Sequence, residues 1–332
     1  MKRSQLVRIK NVLSTPRNVN FGVPQGSVLG PILFSIYVND LSDYLQDCFL
    51  VQYADDTQIL LTGNPECISE LIERAENLLS TVKMYFQRNG LLLNEQKTQC
   101  IFIGSRYYIS QLEEDIAINF NGNSITPSTV VKNLGVYFDQ YMLFNSHIDE
   151  MHKKVIGTLL YLNRIGQWFE TATRTMVVQS LVLSIINYCS RIWGTTNKTQ
   201  IERVQKLQNF AAKVAFGGLK KYDHVSPAFN QLEWLRVDNR YSYDMCILVY
   251  KILHHHLPDW LYDISTVNEI RGTNTRQTND LFVTRTNTLT GTKMLMVRGP
   301  LVWNTIPSQV KNTGSLPVFK VRLEKYLLHK QR

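Results

Sequence analysis

The spacing of apolar residues predicts two amphipathic helices in the first part of the chain. Between Leu29 and Leu45 apolar residues recur every three or four positions, which predicts a helix with one apolar face. Ile68 to Gln87 repeats this period over a longer stretch, and Asn89-Gly90 follows it as a typical helix end.

Short β-rich runs lie between these helices. Cys48 to Tyr53 and Gln58 to Thr62 enclose Ala54-Asp55-Asp56, which predicts a hairpin with two carboxylates at its tip. Further short strands are predicted at Gln5 to Lys10, Cys100 to Ile103 and Val136 to Phe138.

After Asp139 the pattern predicts helices. Ser146 is a candidate N-cap for a helix that carries Ile148, Met151, Val155 and Leu159 on one face. Other helices are predicted at Arg174 to Tyr188, Gln200 to Phe216, Asn239 to Leu253 and Val318 to Leu328, with a loop around Arg271 to Thr290. A mixed first part followed by helices predicts an α+β fold.

Charge separates the two halves of the 332 residues. Residues 1–150 hold 16 acidic and 11 basic residues, a net charge of −5, whereas residues 151–332 hold 11 acidic and 25 basic residues, a net charge of +14. A strongly basic half is typical of a surface that binds a phosphate backbone, although solubilising charge gives the same composition.

The cysteines and the apolar runs indicate an intracellular protein. Five cysteines are an odd number, and their wide spacing includes no C-x-x-C pair, which favours reduced thiols over disulfides or a zinc site. The first residues lack an apolar run of signal-peptide length, and the run from Met176 to Cys189 is too short for a membrane span. We therefore expect a protein of the cytoplasm or nucleus with no membrane role.

Asp55 and Asp56 are candidate metal ligands. Adjacent acids in a turn are often only solvated, but flanking strands would hold these two carboxylates at a fixed tip. Carboxylate oxygens suit Mg²⁺, and Mn²⁺ is an alternative. In a two-metal site such ions activate an attacking 3′-oxygen and stabilise a leaving pyrophosphate.

A second candidate site is the glycine-rich run from Gly22 to Pro31. Its glycines and prolines specify a shaped turn, with Ser27 as a candidate helix cap and Gln25 placed to touch a base or sugar. A plain strand-to-helix connection is the alternative.

Basic and histidine clusters complete the candidates. Arg203, Lys206 and Lys213 lie at helical spacing and predict either a solvated face or contacts with a nucleic-acid backbone. Consecutive His254, His255 and His256 would point in different directions on a helix, which favours a solvated helix end over a metal site.

The run GVPQGSVLGPILFSIYVND at residues 22–40, followed by YADD at residues 53–56, resembles the palm motifs of reverse transcriptases from non-LTR retrotransposons of the LINE type, in particular jockey-like elements. The resemblance continues through Asn89-Gly90-Leu91, Asn94 and Lys97-Thr98, and through Leu134-Gly135-Val136. Farther on it includes Ile186-Asn187-Tyr188 with Trp193-Gly194, and the run from Gly299 to Asn304.

The resemblance implies a role for each matching residue. Asp55 and Asp56 would be catalytic Mg²⁺ ligands, and Lys97 would steady the leaving pyrophosphate unless it is a solvated surface charge. Pro24, Gln25, Gly26 and Ser27 would position the incoming dNTP and the template, and Leu134 and Gly135 would grip the primer. The implied partners are an RNA template and a DNA primer. The implied domains are a partial palm at residues 1–139, a helical thumb-like region at 140–218 and a basic C-terminal region at 219–332.

One departure from the family pattern bears on activity. The family's palm begins with an upstream motif that supplies another metal-binding aspartate, and Met1 to Leu13 does not contain it. We therefore expect the parent activity to be RNA-directed DNA synthesis and this chain alone to be inactive. The alternative is a non-catalytic remnant that binds RNA or DNA. Tyr85 and Phe144, where relatives often carry Trp, should affect packing more than chemistry.

Overall fold

The chain folds as two compact units. The computed structural model describes residues 3–19, 22, 26–112, 116–220, 222–257, 264–271 and 280–331. Unit 1 comprises Met1–Gln99 and Glu114–Pro127, and unit 2 comprises Cys100–Glu113 and Ser128–Arg332. Helices occur together with antiparallel strand pairs, which confirms the predicted α+β class. The domain boundaries at residues 139 and 218 stay predictions.

Unit 1 combines four strand pairs with two helices in its described residues. Its strands are β1 (Arg3–Gln5), β2 (Arg8–Ile9), β3 (Val12–Leu13), β4 (Arg17–Val19), β5 (Phe49–Tyr53), β6 (Asp56–Leu60), β7 (Ile118–Phe120) and β8 (Asn123–Ile125). The antiparallel pairs are β1 with β4, β2 with β3, β5 with β6 and β7 with β8. Its helices are α1 (Gly30–Tyr37) and α2 (Ile68–Arg88).

The core of unit 1 lies between α2 and the chain that follows α1. Val38, Leu41 and Leu45 are buried there against Val82 and Phe86. The prediction of one helix from Leu29 to Leu45 was wrong, because α1 ends at Tyr37 and the chain continues as a 3₁₀ helix over Asn39–Tyr44.

The predicted apolar face of α1 is not buried. Leu29, Leu33 and Ile36 are 60%, 51% and 67% exposed. The side chains that pack against α2 come mainly from the 3₁₀ segment and its two ends, since Val38, Leu41 and Leu45 all have exposures of 7% or less. By contrast, α2 and its end at Asn89-Gly90 confirm the prediction, and Gly90 has the positive φ of +68° that favours glycine there.

Unit 2 is mainly helical. Its strands β9 (Val130–Asn133) and β10 (Val136–Asp139) form one antiparallel hairpin. Its helices are α3 (Arg106–Ile109), α4 (Asn145–Ile165), α5 (Thr171–Val178), α6 (Ser184–Asn187), α7 (Ser190–Trp193), α8 (Lys198–Phe216), α9 (Ser226–Leu232), α10 (Val237–Leu253), α11 (Val267–Arg271), α12 (Leu295–Asn304), α13 (Ser308–Lys311) and α14 (Leu316–Gln331). A π-helical segment, Gln179–Leu183, continues α5 into α6.

Unit 2 has two apolar cores. In the first, α4 packs against α8, and the predicted face of Ile148, Met151, Val155 and Leu159 is buried, which confirms that prediction. In the second, α10 packs against α12 and α14, and Phe319 and Leu323 are fully buried. The helices predicted at Arg174 to Tyr188, Gln200 to Phe216, Asn239 to Leu253 and Val318 to Leu328 are present within a few residues of those bounds.

The start of α4 corrects a prediction about capping. Ser146 is not the N-cap, because α4 begins at Asn145 and the preceding Phe144 has a left-handed backbone. The side chain of Asp139, at the end of β10, accepts the backbone N–H groups of Leu143 at 3.0 Å and Phe144 at 2.5 Å. The carboxylate of Asp139 therefore binds the two residues that lead into α4, which lie before the N–H groups that an N-cap at Ser146 would bind.

Cys100 to Ile103 do not form the predicted strand. The carbonyl of Cys100 accepts the N–H of Ser128 at 2.8 Å, and the N–H of Gly104 donates to Gln140 at 3.1 Å. These two isolated bonds do not build a strand ladder.

Across the described residues, no helix combines the length and the apolar character that a membrane crossing needs.

Candidate functional site

The hairpin β5–β6 carries Asp55 and Asp56 at its tip. Five residue pairs from Phe49–Leu60 to Tyr53–Asp56 align the strands, so the connecting loop contains only Ala54 and Asp55. Ala54 has φ +53°, a conformation that tight two-residue hairpin loops require. The predicted hairpin is confirmed, and Asp56 is the first residue of β6 rather than part of the loop.

The donor chemistry of this tip fits a divalent cation in part. Asp55 and Asp56 are both exposed, so two carboxylates are open to solvent on adjacent residues of a hydrogen-bonded turn. Hard cations prefer such oxygen ligands. Among the described residues, however, no group of three or more Asp, Glu, His or Cys side chains could hold a metal ion. The tip by itself therefore offers two carboxylate ligands, which is only part of the coordination that a cation needs.

The glycine-rich turn is described only in part. Pro24 and Gln25 lie outside the described residues. Gly26 has φ +79°, which suits glycine, and the carbonyl of Ser27 accepts the N–H of Gly30 at 3.3 Å. The prediction that Ser27 caps the helix was wrong, because Leu29 is the N-cap residue of α1 and no side chain caps it.

Two tyrosine hydroxyl groups connect the segment after this turn to the end of α2. The hydroxyl of Tyr85, a buried residue of α2, donates to a carboxylate oxygen of Asp40. Burial and this hydrogen bond raise the pKa of Tyr85 above its usual value. From the other side, the hydroxyl of Tyr37 donates to the carbonyl of Asn89 at 2.7 Å.

Lys97 lies in a 3₁₀ turn, Glu95–Lys97, and is exposed. The side chain of Asn94 accepts the backbone N–H of Lys97 at 3.2 Å. Glu95 accepts hydrogen bonds from the side-chain amides of Asn121 and Asn123, each at 2.8 Å. Glu95 thus connects the turn of Lys97 to the β7–β8 hairpin, a role that sequence spacing did not indicate.

Leu134 and Gly135 form the two-residue loop between β9 and β10. Both have positive φ, +44° and +84°, as a tight hairpin turn of this type requires. The hydroxyl of Tyr188 donates to the carbonyl of Leu134 at 2.6 Å. Leu134 remains 40% exposed, so the tip of the loop is open to a ligand.

The basic stripe on α8 is only partly open. The guanidinium group of Arg203 binds Asp149 of α4 at 2.8 Å and Gln200 at 2.8 Å. The ammonium group of Lys213 donates to the carbonyl of Lys220 at 3.1 Å. Lys206 is exposed and makes no ion pair or hydrogen bond within the described part of the chain.

Arg203 and Lys206 line a small groove between α4 and α8. Its volume is about 190 Å³, and its other lining residues are His152, Ile156, Leu207 and Phe210.

The structure places the candidate residues in both units: Asp55 and Asp56 lie in unit 1, and Leu134, Gly135 and the basic stripe lie in unit 2.

Comparisons with known proteins agree with the motifs. Residues 2–138 match the family model of reverse transcriptase (RNA-dependent DNA polymerase). The chain is 31% identical over 223 residues to a probable RNA-directed DNA polymerase from transposon BS of Drosophila melanogaster, an alignment that covers 64% of this chain and 24% of that relative.

Other relatives come from further mobile elements. The Pol polyprotein of type-1 retrotransposable element R1 from Nasonia vitripennis is 28% identical over 236 residues, which cover 68% of each chain. The polymerase from mobile element jockey of Drosophila melanogaster is 21% identical over 217 residues, 62% of this chain and 23% of the relative. No solved structure matches the chain. Residues 2–138 therefore match the reverse transcriptase family, and the relatives similar to the chain are polymerases and Pol polyproteins of non-LTR retrotransposons.

Proposed function

We propose that this chain supplies part of the catalytic site of an RNA-directed DNA polymerase, with Asp55 and Asp56 as ligands of Mg²⁺. The observation that carries the proposal is the two-residue hairpin tip, which holds both carboxylates in the solvent within a segment of the reverse transcriptase family. The chain spans 24% of the length of its transposon BS relative, so template, primer and dNTP are proposed partners of the complete polymerase.

Each candidate residue has a proposed task of its own. Asp55 and Asp56 hold the cation, which when bound polarises the reacting phosphate and neutralises the charge of the leaving pyrophosphate. Pro24, Gln25, Gly26 and Ser27 position the incoming dNTP and the template, and Leu134 with Gly135 holds the primer strand. Lys97 contributes positive charge to the departing pyrophosphate.

A second candidate function is nucleic-acid binding without catalysis. Two observations favour it: the described residues bring no third metal ligand to the hairpin tip, and residues 151–332 carry a net charge of +14. A site with only two carboxylates binds Mg²⁺ weakly, because this ion requires near-octahedral oxygen coordination and loses its water reluctantly.

Cation binding at the tip is the first test of the polymerase proposal. Mn²⁺ added to the full chain should broaden the NMR signals of the amides at residues 52–57. Asp55→Asn should remove most of this broadening, because it deletes a charged ligand, whereas Glu70→Gln, which alters an exposed acid of α2, should not. Equal broadening in Asp55→Asn would contradict the assignment of the metal site.

Primer extension separates the two candidate functions. The chain is incubated with a poly(rA)/oligo(dT) hybrid, dTTP, and Mg²⁺ or Mn²⁺, next to the Asp55→Asn variant. Extension that falls by about 100-fold or more in Asp55→Asn supports the catalytic function. Absence of extension above that variant, with hybrid binding retained, supports the binding function and the expectation that this chain alone is inactive.

A further inference from the structure

The hairpin β9–β10 is held to the rest of unit 2 at both of its ends. At its base, the carboxylate of Asp139 accepts the backbone N–H groups of Leu143 and Phe144, just before α4. At its tip, the hydroxyl of Tyr188 donates to the carbonyl of Leu134 at 2.6 Å. A hairpin fixed at base and tip has little freedom to tilt or to change the conformation of its loop.

Tyr188 is itself held in position by buried neighbours. Its backbone carbonyl accepts the indole N–H of Trp193 at 2.8 Å, and Trp193 is only 1% exposed. The backbone N–H of Tyr188 donates to Ile185 at 3.3 Å. The tyrosine therefore extends from a rigid corner between α6 and α7, and its hydroxyl reaches the loop from a fixed point.

Gly135 fits against the same tyrosine. A Cβ atom at position 135 would lie 3.4 Å from Cε1 of the Tyr188 ring, which is ordinary van der Waals contact, and Gly135 has φ +84°. The ring thus packs beside the loop while the hydroxyl binds it, although 48% of the Tyr188 surface remains exposed. One side chain restrains both residues of the loop.

We infer that Tyr188 is a positioning residue for the primer strand, acting through the Leu134-Gly135 loop. The inference rests on the proposed function of that loop as the part that holds the primer. A loop whose backbone is fixed before binding presents the same groups to each primer end without the entropy cost of ordering them. Deleting the hydroxyl should loosen the loop and leave the surrounding core intact.

The test compares two nucleic acids with the full chain. One is an RNA–DNA hybrid whose DNA strand has a recessed 3′ end, and the other is a continuous hybrid of equal length. The wild-type chain should prefer the recessed end. Tyr188→Phe, which deletes only the hydroxyl, should reduce this preference roughly three- to ten-fold, the range expected for one hydrogen bond, with unchanged affinity for the continuous hybrid.

Tyr161→Phe is the matched control, because Tyr161 is a 63% exposed tyrosine of α4 in the same unit. Hydrogen exchange supplies a second readout: amides at residues 130–139 should exchange faster in Tyr188→Phe and not in the control. If Tyr188→Phe matches the wild type both in its preference for the recessed end and in its amide exchange, the role of Tyr188 is overturned. The proposed function of the loop is unaffected by that outcome. A wild-type chain without any preference for the recessed end overturns the primer-holding function of the loop, and the inference with it.

Discussion

His147 is a buried histidine without a hydrogen-bond partner. It lies on α4 at 7% exposure, and neither ring nitrogen is bonded within the described residues. Its neighbours are aromatic, with ring centroids of Trp193 at 6.3 Å and Tyr137 at 6.5 Å. Burial, with a smaller contribution from the charge of Lys154, lowers the pKa of His147 from 6.5 to about 4.

This pKa predicts acid sensitivity. Between pH 6.5 and about pH 4 the unfolded chain protonates His147 while the folded chain holds it neutral. The free energy of unfolding should therefore be unaffected by this residue above pH 6.5 and should fall as the pH drops through that window, by up to about 3 kcal/mol. Denaturant unfolding of wild type and His147→Phe at pH 7 and pH 4.5 measures the effect.

His152→Gln is the control for this measurement, because His152 is a less buried histidine of the same helix. Other groups of the chain titrate in this range and affect all three proteins alike. The loss of stability at low pH should therefore be smaller in His147→Phe than in wild type and in His152→Gln. The same loss in all three would show that His147 does not titrate as described.

Gly194 belongs to the Trp193-Gly194 pair of the family resemblance, and the sequence alone does not show why a glycine is needed there. A Cβ atom there would lie 2.4 Å from the carbonyl oxygen of Ser190 and 2.5 Å from the ring of Tyr241. Only glycine fits so close an approach of backbone and ring. The Trp193-Gly194 pair therefore has a structural role, in which Trp193 anchors the corner that holds Tyr188.

At the scale of the element, the charges of α8 have two different roles. Arg203 is engaged by Asp149 and connects α8 to α4, whereas exposed Lys206 has no partner within the described residues. A side chain already in an ion pair must give up that pair before it can bind phosphate. Lys206 is consequently the stronger candidate of the two for a backbone contact.

Single substitutions on α8 should separate these roles. Lys206→Ala should weaken binding of an RNA–DNA hybrid and reduce the slope of log affinity against log salt by about one, because one phosphate contact is lost. Arg203→Ala should change that slope less and lower the free energy of unfolding by up to about 1 kcal/mol. Lys198→Ala, which removes an exposed lysine at the first position of α8 and outside the stripe, is the control. Equal slopes of log affinity against log salt for wild type and Lys206→Ala would show that Lys206 does not contact the nucleic acid.

At the scale of the whole molecule, the uneven charge predicts where nucleic acid binds. Residues 151–332 carry +14 and residues 1–150 carry −5. Binding of an RNA–DNA hybrid to the full chain should therefore weaken steeply as salt rises and show little dependence on base sequence. Filter binding or fluorescence anisotropy between about 50 and 200 mM salt measures this dependence.

Paired charge deletions locate the binding surface. Lys206→Gln with Lys325→Gln removes two exposed charges from the basic half, and Lys10→Gln with Arg17→Gln removes two from the acidic half. Only the first pair should lower affinity at low salt. A flat salt response, or equal losses from both pairs, would contradict binding through residues 151–332.

The sequence by itself determined the elements whose signals are local. The 3.6-residue period of α2, α4 and α8 and the β-rich runs around Ala54-Asp55 depend on neighbours within a few positions, so they were readable along the chain. The motifs around Asp55 and Asp56 were readable for the same reason, and they indicated the family before any fold was known.

Only the tertiary structure decided which groups separated along the chain meet. The apolar face of α1 stayed exposed, because the core of unit 1 is filled by Val38, Leu41 and Leu45 instead. The hydrogen bond of Tyr188 to Leu134 joins residues 54 positions apart. Such a contact depends on how helices and hairpins pack together, and a single sequence carries no periodic signal for it.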